Sequence, residues 1–407
     1  MRILIVGLNY APEPIGIGPY TTGLAEHLAA RGHEVGVIAG KPYYPQWRPY
    51  PGFGWGWRRS IEDGVRLVRC PHYVPRSPGG LRRIAHHLSF AFAALPVAAW
   101  RGLRMRPEIV IVIAPSLLSG PVAWLAARLA GARRWLHLQD FEADAARSTG
   151  FVGQGPLASA LQALERFVLG RADVVSTIGP AMVARLIDKG VPFERTYELR
   201  NWANAPEPER GGDYRREWAL GARTVALYSG SLGRKQGAQL LLDAAKRLRG
   251  RDDLVFVVCG EGPERAGLQA RAARLGNVRF HPLQPAARLA ELLAIADIHL
   301  LPQIAGAADL VLPSKLTNML ASGRPVVTTA LPGTGLFDEV EDCGVAVAPG
   351  DQQAFAAAIA RLADDAALRR KLGEAARARA AERWSREAIL AAFERRLAAL
   401  AASPPRP

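Results

Sequence analysis

The chain opens on an almost unbroken aliphatic run, Arg2 to Leu8 (RILIVGL), the pattern of a strand buried on both faces. A Gly/Pro-rich loop follows, then a helical stretch from about Tyr20 to Arg31, a stop at Gly32 and a second apolar run, EVGVIAG. This is a βαβ unit, which implies a parallel sheet with a right-handed crossover. Further strands are predicted at Glu108–Pro115, Arg133–Asp140, Ala172–Gly179 and Arg195–Asn204. The stretch APEPERGGDYRREW then has the Pro, Gly and charge content of a linker. A second series of strands begins at TVALYSG and continues through LVFVVCG, VRFHPL, ADIHLLP, PVVTT and GVAVAPG, separated by helical segments. The end of the chain, Gln352 to Ala401, reads as helix with a break near Trp384-Ser385, where Ser385 suits an N-cap. The pattern predicts two α/β halves, each on a parallel sheet. Such sheets bind ligands at the carboxyl ends of their strands, so two facing halves would share a deep cleft.

The 407 residues exceed one typical core. With 49% apolar and 22% charged residues, the chain is not of disordered composition. Three scattered cysteines, Cys70, Cys259 and Cys343, exclude a disulfide framework and fit a reducing cytoplasm. No signal-peptide pattern and no uninterrupted apolar run of spanning length is present. The net charge of +15 points to an anionic partner. Without a zinc-finger spacing or an RNP-like motif, a membrane or a phosphorylated substrate is preferred to nucleic acid.

Candidate chemistry falls just after the strands. In PEPIGIGPY, Gly16 and Gly18, with Ile17 between them, let backbone N–H groups approach an anion. HLQD places His137 and Asp140 at a strand's end, where they could orient a sugar hydroxyl; Asp140 could equally cap the next segment. In YSGSLGRKQG, the turn Gly230, Ser231 and Gly233 leads to Arg234 and Lys235 at a helix start, a combination suited to a diphosphate. CGEGPER offers Glu261 to a ribose hydroxyl, and FHPLQP offers backbone groups around Leu283 to a base edge. ADLVLPSKLTNMLASGRPVV carries Asp309, then Ser314 and Lys315 where a helix begins, which is a second anion-binding position. No D-x-D, H-E-x-x-H or G-x-x-x-x-G-K-[ST] motif occurs.

Between Leu81 and Arg106 an apolar helical core, Leu88 to Trp100, is flanked by Arg82, Arg83, Arg101, Arg104 and Arg106. It is read as a helix packed on the first sheet with its basic ends toward an anionic membrane. The preceding YYPQWRPYPGFGWGWRR is rich in interfacial aromatics.

Taken together, the opening GIGPYTTGLAEHLAARGHEVGVIA, GSLGRKQG, CGEGP and ADLVLPSKLTNMLASGRPVV resemble glycosyltransferase family 4 of the GT-B fold over essentially the whole chain. The nearest likeness is to its colanic-acid and O-antigen branch. The resemblance implies an N-terminal acceptor-binding domain over 1–204, a nucleotide-sugar-binding domain over 205–384 and a final helix, 385–407, returning to the first. It implies retaining transfer from a nucleotide-sugar donor, without metal or other cofactor. His137 and Asp309 would hold the donor sugar, with Lys235 and Arg234 on the diphosphate. Two family glutamates eight positions apart correspond to Asp309 and Thr317, so a ribose carboxylate is missing at Thr317; Glu261, Lys315 or Asn318 would compensate. The function expected is transfer from a UDP-sugar, before a GDP-sugar, to a polyprenyl-diphosphate-linked saccharide, by a cytoplasmic protein held peripherally at the inner face of the cell membrane. Two rivals are a nucleotide-sugar epimerase of the same architecture and a non-catalytic, membrane-docked nucleotide-binding subunit.

Overall fold

A computed structural model of the chain describes residues 1–14, 16–76, 79–141, 156–203, 212–233, 236–304 and 312–403. The contacts divide it into two compact units, Met1–Arg200 with Glu387–Pro407, and Asn201–Arg386.

The first unit is built on an eight-stranded sheet. Its strands are β1 (Arg2–Gly7), β2 (Glu34–Gly40), β3 (Arg58–Glu62), β4 (Val65–Cys70), β5 (Ile109–Ala114), β6 (Arg133–Leu138), β7 (Val174–Thr177) and β8 (Thr196–Glu198). The order is β3-β4-β2-β1-β5-β6-β7-β8, and every pairing is parallel except β3 with β4. The central strands bury nearly every residue, which explains why they read as continuous apolar runs. The β3–β4 hairpin is an addition to the sequence reading. Glu62 pairs with Val65 across Asp63-Gly64, both at positive φ (48° and 79°), the geometry of a two-residue primed turn. The last predicted strand shrinks to Thr196–Glu198.

Helix α1 (Gly18–Ala30) follows β1. Helix α2 (Gly80–Met105) outruns the predicted apolar core at both ends. It packs closely on α3 (Gly120–Ala130): a Cβ added at Gly102 would lie 2.8 Å from the Ala126 carbonyl oxygen. Arg101, expected among the basic flanks, is instead buried and donates to the Arg66 carbonyl (3.4 Å). The closing helix, Arg386–Ala402, belongs with this unit. Phe393 is fully buried edge-on against Trp135 (5.1 Å between centroids), and Glu394 pairs with His27, Arg31 and His33.

The second unit has six parallel strands, β9 (Thr224–Ser229), β10 (Leu254–Cys259), β11 (Val278–His281), β12 (Ile298–Leu301), β13 (Val326–Thr329) and β14 (Gly344–Val347), in the order β11-β10-β9-β12-β13-β14. Residues 201–203 join this unit: Trp202 is buried and the Ala203 N–H donates to the Trp384 carbonyl (3.2 Å). The chain's helix break is as the sequence suggests, with Ala366–Trp384 ending where Arg386–Ala402 is about to begin.

Candidate active site

In each sheet, successive connections run in opposite directions from one pair of strands, β1/β5 in the first and β9/β12 in the second. Ligand sites of open parallel sheets lie at such switch points, outside the carboxyl ends of the strands.

In the second unit, β9 runs into Gly230–Gly233. Gly230 has φ +134°, which favours glycine, and it faces Lys315: a Cβ there would lie 3.3 Å from Nζ. Lys315 occupies the first turn of the helix Ser314–Ala321, whose start has no side-chain cap. Its ammonium donates to the Tyr228 hydroxyl (3.1 Å) and lies 4.2 Å from the centre of that ring. Among the described residues no carboxylate pairs with it. Burial lowers its pKa from 10.5 to about 8. The Tyr228 hydroxyl is itself spent on the Ser231 carbonyl (2.5 Å), and burial raises its pKa. Ser314 and Ser231 are exposed beside this cation.

The turn after β10 lies backbone-to-backbone on the turn after β9. Leu232 N–H donates to the Glu261 carbonyl (2.8 Å), and a Cβ at Gly260 would come within 1.9 Å of the Gly230 carbonyl oxygen. The glycines of CGEGP therefore serve this contact. Glu261 itself is exposed and ion-paired to Arg265 one turn on. Leu283 is exposed in the turn after β11, anchored where Cys259 Sγ donates to the Pro282 carbonyl (3.1 Å). Beside it Trp218 stacks on His281 (3.7 Å, 12°), a pairing no sequence signal announced.

Thr317, expected on the ribose, is turned inward. It is 3% exposed, and its hydroxyl donates to the Ser314 carbonyl (2.9 Å) inside the helix. Asn318, the next residue, is only partly buried. Arg234, Lys235 and Asp309 lie outside the described residues.

In the first unit, Gly16 (φ +76°) is exposed, Ile17 stands at the N-cap of α1, and Gly18 begins the helix. Glu13, which the sequence reading missed, organises the loop. One carboxylate oxygen accepts the N–H groups of Tyr43 (2.9 Å) and Tyr44 (3.0 Å), and the other accepts Asn9 Nδ2 (2.8 Å). Burial pushes its pKa up against these three bonds, which pull it down. A Cβ at Gly18 would lie 3.1 Å from Glu13 Cβ, so the second glycine of the motif accommodates this residue. The only sequence signal for Glu13 was one acid between two prolines.

His137 is the penultimate residue of β6, at the carboxyl end of the strand as expected, and is 1% exposed. Its Nδ1 meets Ser176 Oγ (2.9 Å) and its Nε2 meets the Gln139 amide nitrogen (2.9 Å). Because that amide can only donate, Nε2 accepts and Nδ1 carries the proton. Trp135 Nε1 donates to the same Ser176 hydroxyl (2.7 Å). Burial holds the imidazole neutral, with a pKa lowered to about 3. Both nitrogens are thus engaged inside the unit. Gln139 is buried against the ring and Asp140 is exposed.

The chain matches the family described as Glycosyl transferase 4-like domain over residues 16–202, and Glycosyl transferases group 1 over residues 213–379. It is 41% identical over 375 residues to WcaI of Escherichia coli (strain K12), assigned to colanic acid biosynthesis as a glycosyl transferase, covering 88% of this chain and 91% of that one. Among solved structures it is similar to sucrose-phosphate synthase from Thermosynechococcus elongatus, with a TM-score of 0.76 and 21% identity over 99% of this chain and 100% of that one. It is likewise similar to HepE from Anabaena, solved in complex with UDP, with a TM-score of 0.68 and 16% identity over 98% and 100% of the two chains. The chain belongs to glycosyltransferase family 4 and has the GT-B fold. It is a glycosyltransferase.

Proposed function

We propose that the protein moves a sugar from a nucleotide diphosphate sugar, a UDP-sugar before a GDP-sugar, to a hydroxyl of a polyprenyl-diphosphate-linked saccharide in exopolysaccharide or O-antigen assembly. The configuration at the anomeric carbon is retained, no metal takes part, and the protein works peripherally at the inner face of the cell membrane. The observation that carries the donor assignment is Lys315: a partly buried cation at the second unit's switch point, beside a glycine at positive φ, with no carboxylate paired to it among the described residues. Identity to WcaI supports polysaccharide assembly, and UDP bound to HepE supports the base.

In this reading the second unit binds the donor. Lys315, the start of its helix at Ser314 and the paired Arg234 and Lys235 offset the diphosphate's charge as it departs. The acceptor oxygen attacks the anomeric carbon on the face the diphosphate leaves. The carbon–oxygen bond to the diphosphate breaks, and the acceptor's proton passes to a diphosphate oxygen, giving glycoside and nucleoside diphosphate. Asp309 steadies the donor sugar, and His137 acts through Gln139. The loop Gly16–Gly18, held by Glu13, offers N–H groups to an anionic part of the substrates. Leu283 and Glu261 flank the base and ribose, with Asn318 closer to hand than Thr317.

The test is turnover of UDP- and GDP-sugars with and without a polyprenyl-diphosphate-linked acceptor, the product's anomeric configuration being read by NMR. Acceptor-dependent release of UDP with retention is expected. Isomerised donor in the absence of acceptor would make the protein an epimerase, and an inverted product would remove the same-face mechanism.

A further inference from the structure

Helix α2 is amphipathic in the wrong sense for a water-facing helix. Its inner side is packed, yet its outer side is also apolar: Leu81, Leu88, Phe92, Leu95 and Leu103 recur at helical spacing and are all exposed, Phe92 at 70%. A surface helix ordinarily turns charge to solvent, and one that is apolar all round is covered by something. The neighbouring segment extends the same surface. Trp57 lies across α2, its indole N–H donating to the Ala93 carbonyl (2.8 Å), and Arg59 stands 5.2 Å from the centre of the Trp100 ring. Before it, the glycine-flanked tip Gly54-Trp55-Gly56 projects Trp55 wholly into solvent (102%).

The rim is cationic. Arg58, Arg59, Arg82, Arg83, Arg104 and Arg106 are exposed, and the chain has no Asp or Glu from Gly64 to Pro107. Two copies of this face set against each other would bring like charges together, which disfavours self-association. At about 1.5 Å per residue the 26 residues of α2 would lie along a surface, with basic ends at both limits. No helix among the described residues is long and apolar enough to cross a membrane.

We propose that the outer face of α2, together with Trp55 and Trp57, docks on an anionic lipid bilayer. The apolar stripe enters the boundary between headgroups and acyl chains, and the arginines meet lipid phosphates. This face belongs to the first unit alone. The proposal deepens the lipid-linked-acceptor reading by naming the surface that would bring the protein to such an acceptor.

The test is sedimentation of the full chain with vesicles, without donor or acceptor. Equal mixtures of phosphatidylcholine and phosphatidylglycerol are compared with pure phosphatidylcholine. Binding to the mixed vesicles that weakens with salt is expected. The double variant Trp55→Ser/Phe92→Ser, at exposed positions that create no cavity, is expected to lower that partition by about tenfold or more. Arg82→Glu/Arg104→Glu is expected to abolish the preference for phosphatidylglycerol. Absence of vesicle binding, undiminished binding by both double variants, or a concentration-dependent dimer that Trp55→Ser/Phe92→Ser disperses would each overturn the proposal. If vesicle docking behaves as stated but only water-soluble saccharides accept sugar, the docking surface stands and the lipid-linked-acceptor reading falls.

Discussion

Replacing Lys315 by methionine separates the donor-binding role of this residue from any role in holding the fold. The side chain stays unbranched and nearly as long but loses its charge. The folded state lowers the lysine pKa from 10.5 to about 8. That difference corresponds to roughly 3 kcal/mol by which the protonated form is disfavoured in the folded protein at neutral pH. Loss of the attraction to the Tyr228 ring removes about 1 kcal/mol, so Lys315→Met should stabilise the ligand-free protein on the order of 2 kcal/mol. Binding should move the other way. A charge-assisted bond to a diphosphate oxygen contributes about 1.5–3 kcal/mol, so UDP affinity should fall roughly ten- to hundredfold. Thermal unfolding with and without UDP reads both effects: a higher Tm for the apo variant, and a ligand-induced rise in Tm that shrinks or vanishes. A variant that melts lower without ligand and keeps the full UDP response would refute the assignment, because Lys315 would then be a structural cation with its partner inside the fold.

The same lysine sets a pH dependence. Its folded pKa lies below the unfolded one, so the unfolded chain binds more protons between about pH 8 and 10.5; apo stability should gain from this group as pH rises through that window, while donor affinity falls above about pH 8 in calorimetric titrations. Thr317→Val should leave UDP affinity within about twofold, since the hydroxyl is tied to the Ser314 carbonyl, at a stability loss of about 1 kcal/mol seen in urea unfolding. His137→Ala should destabilise by about 2–4 kcal/mol, because it opens a cavity and removes the bonds of the ring to Ser176 and Gln139; the wild-type rate profile should carry no inflection near the ordinary histidine pKa from this ring. Prolonged EDTA treatment should leave initial rates of transfer unchanged.

The β-strand alternation and the buried apolar runs were legible because parallel strands covered on both faces have nowhere to place charge. β1, β2, β5 and β6 stand out for that reason. The hairpin was passed over because β3 is charged and largely exposed and β4 is interrupted by two arginines, and its turn pair Asp63-Gly64 was the one local signal. For the site, sequence position gave the turns after strands but not the directions of their side chains. His137 and Thr317 both lie where a ligand is expected, and both turn into the core, a fact set by strand alternation and helix phase to within one residue. Glu13 and Tyr228 were invisible for the opposite reason. Their importance rests on partners 30 or more residues away, Tyr43 and Tyr44 for one and Lys315 for the other. The packing of α2 and its basic ends were legible, but its outer apolar face was not, because apolar periodicity does not tell which side of a helix has a neighbour.

The return of the last helix to the first unit has a bearing on synthesis. Trp135 is completely buried, and one of the rings covering it is Phe393, near the far end of the chain. On the ribosome, Met1–Arg200 emerges first but waits for the whole second unit before Glu387–Pro407 can be laid against it. The domain begun first is thus the last to be finished. Until that helix is made, Trp135 lacks one of the rings that cover it, and His27, Arg31 and His33 lack their pairing with Glu394. Shortening the protein by its final helix would leave it permanently in that unfinished condition.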